Sequence, residues 1–209
     1  MYPYPSPYGR WARPRRLTPW NETLDLLISW AALTIAFGAS GIIKGDLTRL
    51  GVAAAAVATA FVGHELAHRY VARHYGMAAA YKANYSFLAF TVAIALITAK
   101  SFGTPFVFAA PGAVVVMPLF TPPNPRYMML VAAAGPATNL GIGAALAVAS
   151  KAMPPPIGAY LYVIGNINIW IGLFNLIPVP PLDGWQIMRA SITTWASLMA
   201  IAVALFVAL

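Results

Sequence analysis

The chain has no cysteine, and among its 209 residues it carries only five acids and three histidines. Without cysteine, disulfides and thiolate metal sites are excluded, so any metal must be held by His, Asp or Glu. Charge of either sign is also scarce, at 9% of positions against 60% hydrophobic ones, with a mean hydropathy of +0.72. Several apolar runs exceed the roughly 18 residues that cross a bilayer, which excludes an ordinary water-soluble domain. The formal net charge of +8 does not point to nucleic acid, because the basic residues sit at the ends of apolar segments rather than on one amphipathic face. The partner they imply is the lipid bilayer.

Residues 1–20, rich in Pro, Tyr and Arg, contain no apolar core long enough for a cleavable signal and read as a disordered basic tail. Residues 21–209 read as a single transmembrane domain, with spans expected at 24–43, 51–75, 127–149, 157–179 and 186–209. Between the second and third of the long spans the pattern is irregular. The run 87–99 is short for a crossing, and 106–117, with β-branched residues around Pro111-Gly112, reads as paired strands about a turn. The expected fold is therefore an all-α polytopic membrane protein of about five to six transmembrane helices, with a small membrane-associated β-hairpin over 85–120. That element is read as re-entrant, with a short transmembrane pair as the alternative. Non-helical backbone at membrane depth survives only against protein or a wet cavity, which places this element near a functional site.

The basic residues set an orientation. With the N-terminus inside and 85–120 returning to its starting side, Arg10, Arg13, Arg15, Arg16, Arg69, Arg73, Lys82, Arg126 and Arg189 lie inside, against Lys44, Arg49 and Lys151 outside and Lys100 undecided. The excess follows the positive-inside rule and predicts a multi-pass protein of the cell membrane with a cytoplasmic N-terminus.

The five acids are Glu22, Asp25, Asp46, Glu65 and Asp183, and the first three lie near the ends of apolar segments, where solvation is cheap. Glu65 belongs to Gly63-His64-Glu65-Leu66-Ala67-His68-Arg69, a His-Glu-x-x-His pattern that follows the uncharged stretch Gly51 to Val62. Histidines four apart lie on one face of a helix and can point at one ion, with the Glu beside them as a base. A hydrolytic zinc site wants three protein ligands and one open position, and Asp183 in Pro180-Pro181-Leu182-Asp183-Gly184 is the best-placed third ligand in the chain. Each residue also has a plainer reading. The histidines at a helix end can bond headgroups or backbone, Asp183 can serve a turn or an N-cap, and Gly135-Pro136 with Asn139 can be a kink and a packing contact. His74 is off the metal face and reads as a surface residue. Asn139, Asn166, Asn168 and Asn175, placed in apolar spans, are candidates to line a water route to the ion.

The order of three motifs carries a resemblance: the His-Glu-x-x-His of residues 64–68, Ala134-Gly135-Pro136 with Asn139, and Asn175-x-x-Pro178-x-Pro180-x-Leu182-Asp183-Gly184. From about residue 51 to 190 the chain resembles the site-2 protease family of intramembrane zinc metalloproteases. The resemblance implies one catalytic zinc ion held by His64, His68 and Asp183, with Glu65 as general base and Asn175 as the polar residue that positions groups at the metal. It also implies a transmembrane protein as substrate, cut within or near its membrane-spanning segment, and an active site toward the cytoplasmic leaflet. No stretch of these residues is long enough for the PDZ domain that many bacterial members carry. The alternatives are a zinc-binding membrane transporter or sensor, which would show internal repeats and ionisable residues on several helices, and an inactive protease-like scaffold.

Overall fold

The computed structural model describes residues 20–107, 111–117 and 124–208; the tail expected over residues 1–20 lies, but for Trp20, outside the described residues. Local chemistry sets the helix ends in the first half. Asn21 caps α1 (Glu22–Phe37) by accepting the Leu24 N–H, and α1 stops at Gly38 before the short α2 (Ala39–Lys44). Asp46 then accepts the Arg49 N–H and opens α3 (Leu47–Val57). From there α3, a π-helical segment (Ala58–Val62) and α4 (Gly63–His74) run on as one helix of 28 residues, Leu47–His74. Within the π segment the Gly63 N–H bonds Ala58 O, five residues back, so the helix is widened by one residue immediately before His64.

The 85–120 region differs from the expected hairpin. Its apolar run is part of an 18-residue helix, α5 (Tyr85–Phe102), because Asn84 caps the N-terminus through the Phe87 N–H and Gly103 closes the C-terminus at φ 79°. Both caps lie outside the apolar run, which is why that run looks too short. The strands flank this helix instead of meeting at Pro111-Gly112: β1 (Ala78–Ala83) pairs antiparallel with β2 (Gly112–Met117), with Ala78 opposite Met117 and Ala83 opposite Gly112. The chain returns alongside α5, since Phe106 N–H donates to Thr98 Oγ1 at 2.8 Å and Asn84 N–H to Pro111 O at 2.8 Å. The element thus ends where it began, which the re-entrant reading and the short transmembrane pair both require.

The second half is α6 (Pro125–Ala152), α7 (Ile157–Asn175), α8 (Asp183–Ala190) and α9 (Ile192–Ala208). The span expected at 186–209 is broken at Ser191, which takes an extended backbone conformation and separates α8 from α9. Among the described residues four helices are long and apolar enough to cross a membrane: Leu47–His74, Tyr85–Phe102, Pro125–Ala152 and Ile157–Asn175. The five to six crossings expected would need α1 and α9, which have 16 and 17 residues. Large apolar side chains face outward along the bundle, among them Phe90, Ile97, Val148 and Val207. Such a surface suits lipid rather than water.

Candidate metal centre

His64 and His68 sit one turn apart on α4, and both are buried. Asp183 comes to them from the first position of α8, more than a hundred residues later. The loop before it folds tightly: Val179 N–H bonds Ile177 O and Leu182 N–H bonds Val179 O. Gly184 lets the start of α8 rest on the end of α7, because a Cβ there would lie 2.1 Å from Leu176 O. Only glycine tolerates that approach, and it delivers the carboxylate of the preceding residue to the histidines.

His64 Nε2 lies 3.2 Å from Asp183 Oδ2, His68 Nε2 lies 3.3 Å from the same oxygen, and the two imidazole nitrogens are 2.9 Å apart. Ligand bonds of roughly 2.0–2.1 Å at tetrahedral angles separate ligand atoms by about 3.3 Å. The three atoms therefore outline one face of a tetrahedral site and leave its fourth corner open. The donor set, two imidazoles and a carboxylate, is one that zinc accepts. Burial alone would raise the Asp183 carboxyl, but the charge of His68 and hydrogen bonds from both histidines hold it well below the usual carboxylate range. An anionic oxygen is what a cation site needs.

Groups behind the rings orient them. Val131 O lies 2.6 Å from His68 Nδ1, and since a carbonyl only accepts, Nδ1 carries a proton and the ring is turned so that Nε2 faces the cluster. His64 Nδ1 faces the Asn139 carboxamide at 3.3 Å, and Asn139 Nδ2 also donates to Ala60 O in the π segment at 3.1 Å. Gly135 on α6 supplies the space: a Cβ there would stand 2.4 Å from His68 Nε2 and 2.6 Å from His64 Nε2. The sequence signal for this was the Gly-Pro pair inside an apolar helix, which reads equally well as a kink. For Val131 there was no signal, because its contribution is a backbone carbonyl.

Glu65 lines the same cavity, about 280 Å³ in volume, together with Val114, Val116, Asn175 and Gln186. Its carboxylate accepts a hydrogen bond from the Val114 backbone on β2, and Oε2 is buried without a partner among the described residues. Asn175 lines the cavity wall with its Nδ2 donating to Ile171 O on its own helix at 3.0 Å. Asn139, Asn166 and Asn168 do not border this cavity. Asn139 and Asn168 are fully buried and brace the π segment, Asn168 by donating to Thr59 Oγ1 at 2.8 Å, and only Asn175 of the four borders the cavity. His74 is exposed with its ring against Tyr75, away from the cluster.

Comparison with known proteins gives a consistent picture. Residues 150–208, which include Asp183, match Peptidase family M50. A protein of Methanocaldococcus jannaschii named "Putative zinc metalloprotease MJ0611" is 31% identical over 180 residues, covering 84% of this chain and 87% of its own. "Zinc metalloprotease MJ0392" of the same organism is 41% identical over 59 residues, covering 27% of this chain and 17% of its own length. "Putative zinc metalloprotease Rip3" of Mycobacterium tuberculosis is 35% identical over 72 residues, covering 32% and 18%. No solved structure matches the chain.

Proposed function

The chain belongs to peptidase family M50, the site-2 protease family, and on that footing we propose that it is an intramembrane zinc endopeptidase that cuts peptide bonds within or near the transmembrane segments of other membrane proteins. One observation carries the reading: the nitrogen and oxygen atoms of His64, His68 and Asp183 lie within 4.8 Å of one another in a cavity that also holds Glu65, between helices long enough to cross a bilayer. The catalytic core is read as residues 51–190, with α1 and α9 as shorter crossings beside the four long helices.

His64, His68 and Asp183 would hold the ion. When bound, zinc supplies Lewis-acid polarisation of a carbonyl and lowers the pKa of water toward neutrality. Glu65 takes the proton of the attacking water and returns it to the leaving amine. Its Oε2 has no hydrogen-bond donor among the described residues, which suits a carboxylate oxygen reserved for a water proton. Asn175, at the cavity wall, orients the water or the carbonyl under attack. A transmembrane helix is a poor substrate while its carbonyls are hydrogen-bonded, so the target must unwind locally, and the exposed edge of β2 can hold it extended by main-chain pairing.

The distribution of basic residues supports a cytoplasmic N-terminus and a site toward the cytoplasmic leaflet. Ser40 Oγ on α2 donates to Gly103 O, so the Lys100 end of α5 joins Lys44 and Arg49 at the far end from Arg69, Arg73 and Lys82. Purified protein tests the activity. Wild type should contain zinc and cleave a transmembrane peptide, while Glu65→Gln should retain the zinc and lose the cleavage. Unchanged cleavage in Glu65→Gln would remove this residue from the mechanism.

A further inference from the structure

A two-stranded sheet has two open edges, and in this protein one of them is closed by side chains. On the outer edge of β1, Tyr81 N–H donates to Glu22 Oε1 at 3.1 Å and Ala83 N–H donates to Asp25 Oδ2 at 3.0 Å. The carbonyls of the same edge are filled as well, Tyr81 O by Trp20 Nε1 at 2.7 Å and Ala79 O by Arg73 Nη2 at 2.8 Å. Residues 79, 81 and 83 therefore turn their backbone groups away from β2, and each of them meets a side chain where a third strand would otherwise pair.

The spacing fits the task. Glu22 and Asp25 are three apart on α1, about 4.5 Å along the axis, and the two N–H groups they meet are two apart on a strand, roughly 6.6 Å. Both carboxylates are held from behind: Glu22 by Arg69 at 3.0 Å and Arg73 at 3.7 Å, and Asp25 by the Tyr85 hydroxyl. By the same alternation Gly112, Val114 and Val116 turn their backbone groups away from β1, and all three line the cavity of the metal cluster, where the Val114 N–H meets the Glu65 carboxylate rather than a side chain of α1.

We propose that Glu22 and Asp25, with Trp20 and Arg73, are positioning residues that close the outer edge of β1, so that an extended chain can be added to the sheet only along β2, beside His64, His68 and Asp183. This gives α1, which lies outside the core read from the sequence, a part in the reaction that it plays without touching the substrate. The identity of the extended chain as substrate rests on the protease reading; the closed edge does not.

Amide hydrogen exchange and cleavage of a transmembrane peptide by the full chain test the two separately. In Glu22→Ala the Tyr81 amide should exchange about 10 to 100 times faster than in wild type. Glu22→Gln keeps an acceptor oxygen and should restore most of the protection. Zinc content should stay at the wild-type level, and KM for the peptide should rise more than kcat falls. Trp20→Phe removes a single donor and should shift KM in the same direction, which keeps the test open if Glu22→Ala does not fold. Wild-type exchange at Tyr81 in Glu22→Ala would overturn the proposal. So would equal loss in the Gln and Ala variants, which would assign the effect to the charge facing Arg69 and Arg73, or a fall in kcat at constant KM. A wild-type protein that cleaves nothing would sink the protease reading and leave the exchange result to decide the edge.

Discussion

The two polar centres of this apolar molecule are built in opposite ways. In the metal cluster, side chains from α4 and α8 converge on one another, with Gly135 withdrawn to make room. In the corner between α1 and the sheet, side chains converge on backbone, and Glu22 and Asp25 take the place of a neighbouring strand. The contrast shows two uses of a scarce acid in a low-dielectric setting. One carboxylate is stabilised by imidazoles and kept available for a cation; the others are consumed in satisfying peptide groups that would be costly to bury unpaired.

Gly135→Ala should do the most damage to that contrast, because the added methyl would lie within 2.6 Å of the Nε2 atoms of both histidines. Zinc affinity should fall by about 100-fold, the upper end for groups that orient a ligand, while the sheet corner keeps its exchange protection. Near-wild-type zinc titration by Gly135→Ala would mean that the α6 helix does not shape the site. Asn139→Leu comes next. It removes the carboxamide behind His64 and the bond to Ala60 O but leaves Val131 behind His68, so affinity should drop by roughly 10-fold. An equal loss from Asn168→Leu would instead assign the effect to bracing of the π segment. Smallest is Tyr81→Phe, which strips the buried Ser29 hydroxyl of its partner at 2.9 Å. A stability loss of about 1 kcal/mol with unchanged zinc affinity is expected, read by thermal unfolding beside metal titration; coupled loss of both would join the two centres into one.

The metal trio was legible because helical spacing and the scarcity of acids left few choices: His64 and His68 share a face, and Asp183 stood in a sequence that must turn. The sheet was not. Ala78-Ala79-Ala80-Tyr81-Lys82-Ala83 is rich in a strong helix former, and it becomes a strand only because β2 and the α1 side chains satisfy its backbone, a tertiary preference that overrides local propensity. The same blindness gave β2 the wrong partner. Pro111-Gly112 reads as a hairpin turn, but the partner strand lies before α5, with that whole helix between the two strands in the chain. Asn139 and Asn168 were legible as purposeful and misread in purpose, since a carboxamide that braces a π segment and one that wets a channel look alike in sequence.

The central claim is that Asp183 completes a metal site with His64 and His68, whereas Asn175, eight residues earlier on the same cavity wall, acts only on what the metal binds. Metal analysis of purified Asp183→Ala and Asn175→Ala beside wild type tests it most directly. Zinc should be lost from Asp183→Ala and fully retained in Asn175→Ala, whose turnover alone should drop by about 10 to 100-fold. Full zinc occupancy in Asp183→Ala would contradict the account and place the third ligand elsewhere.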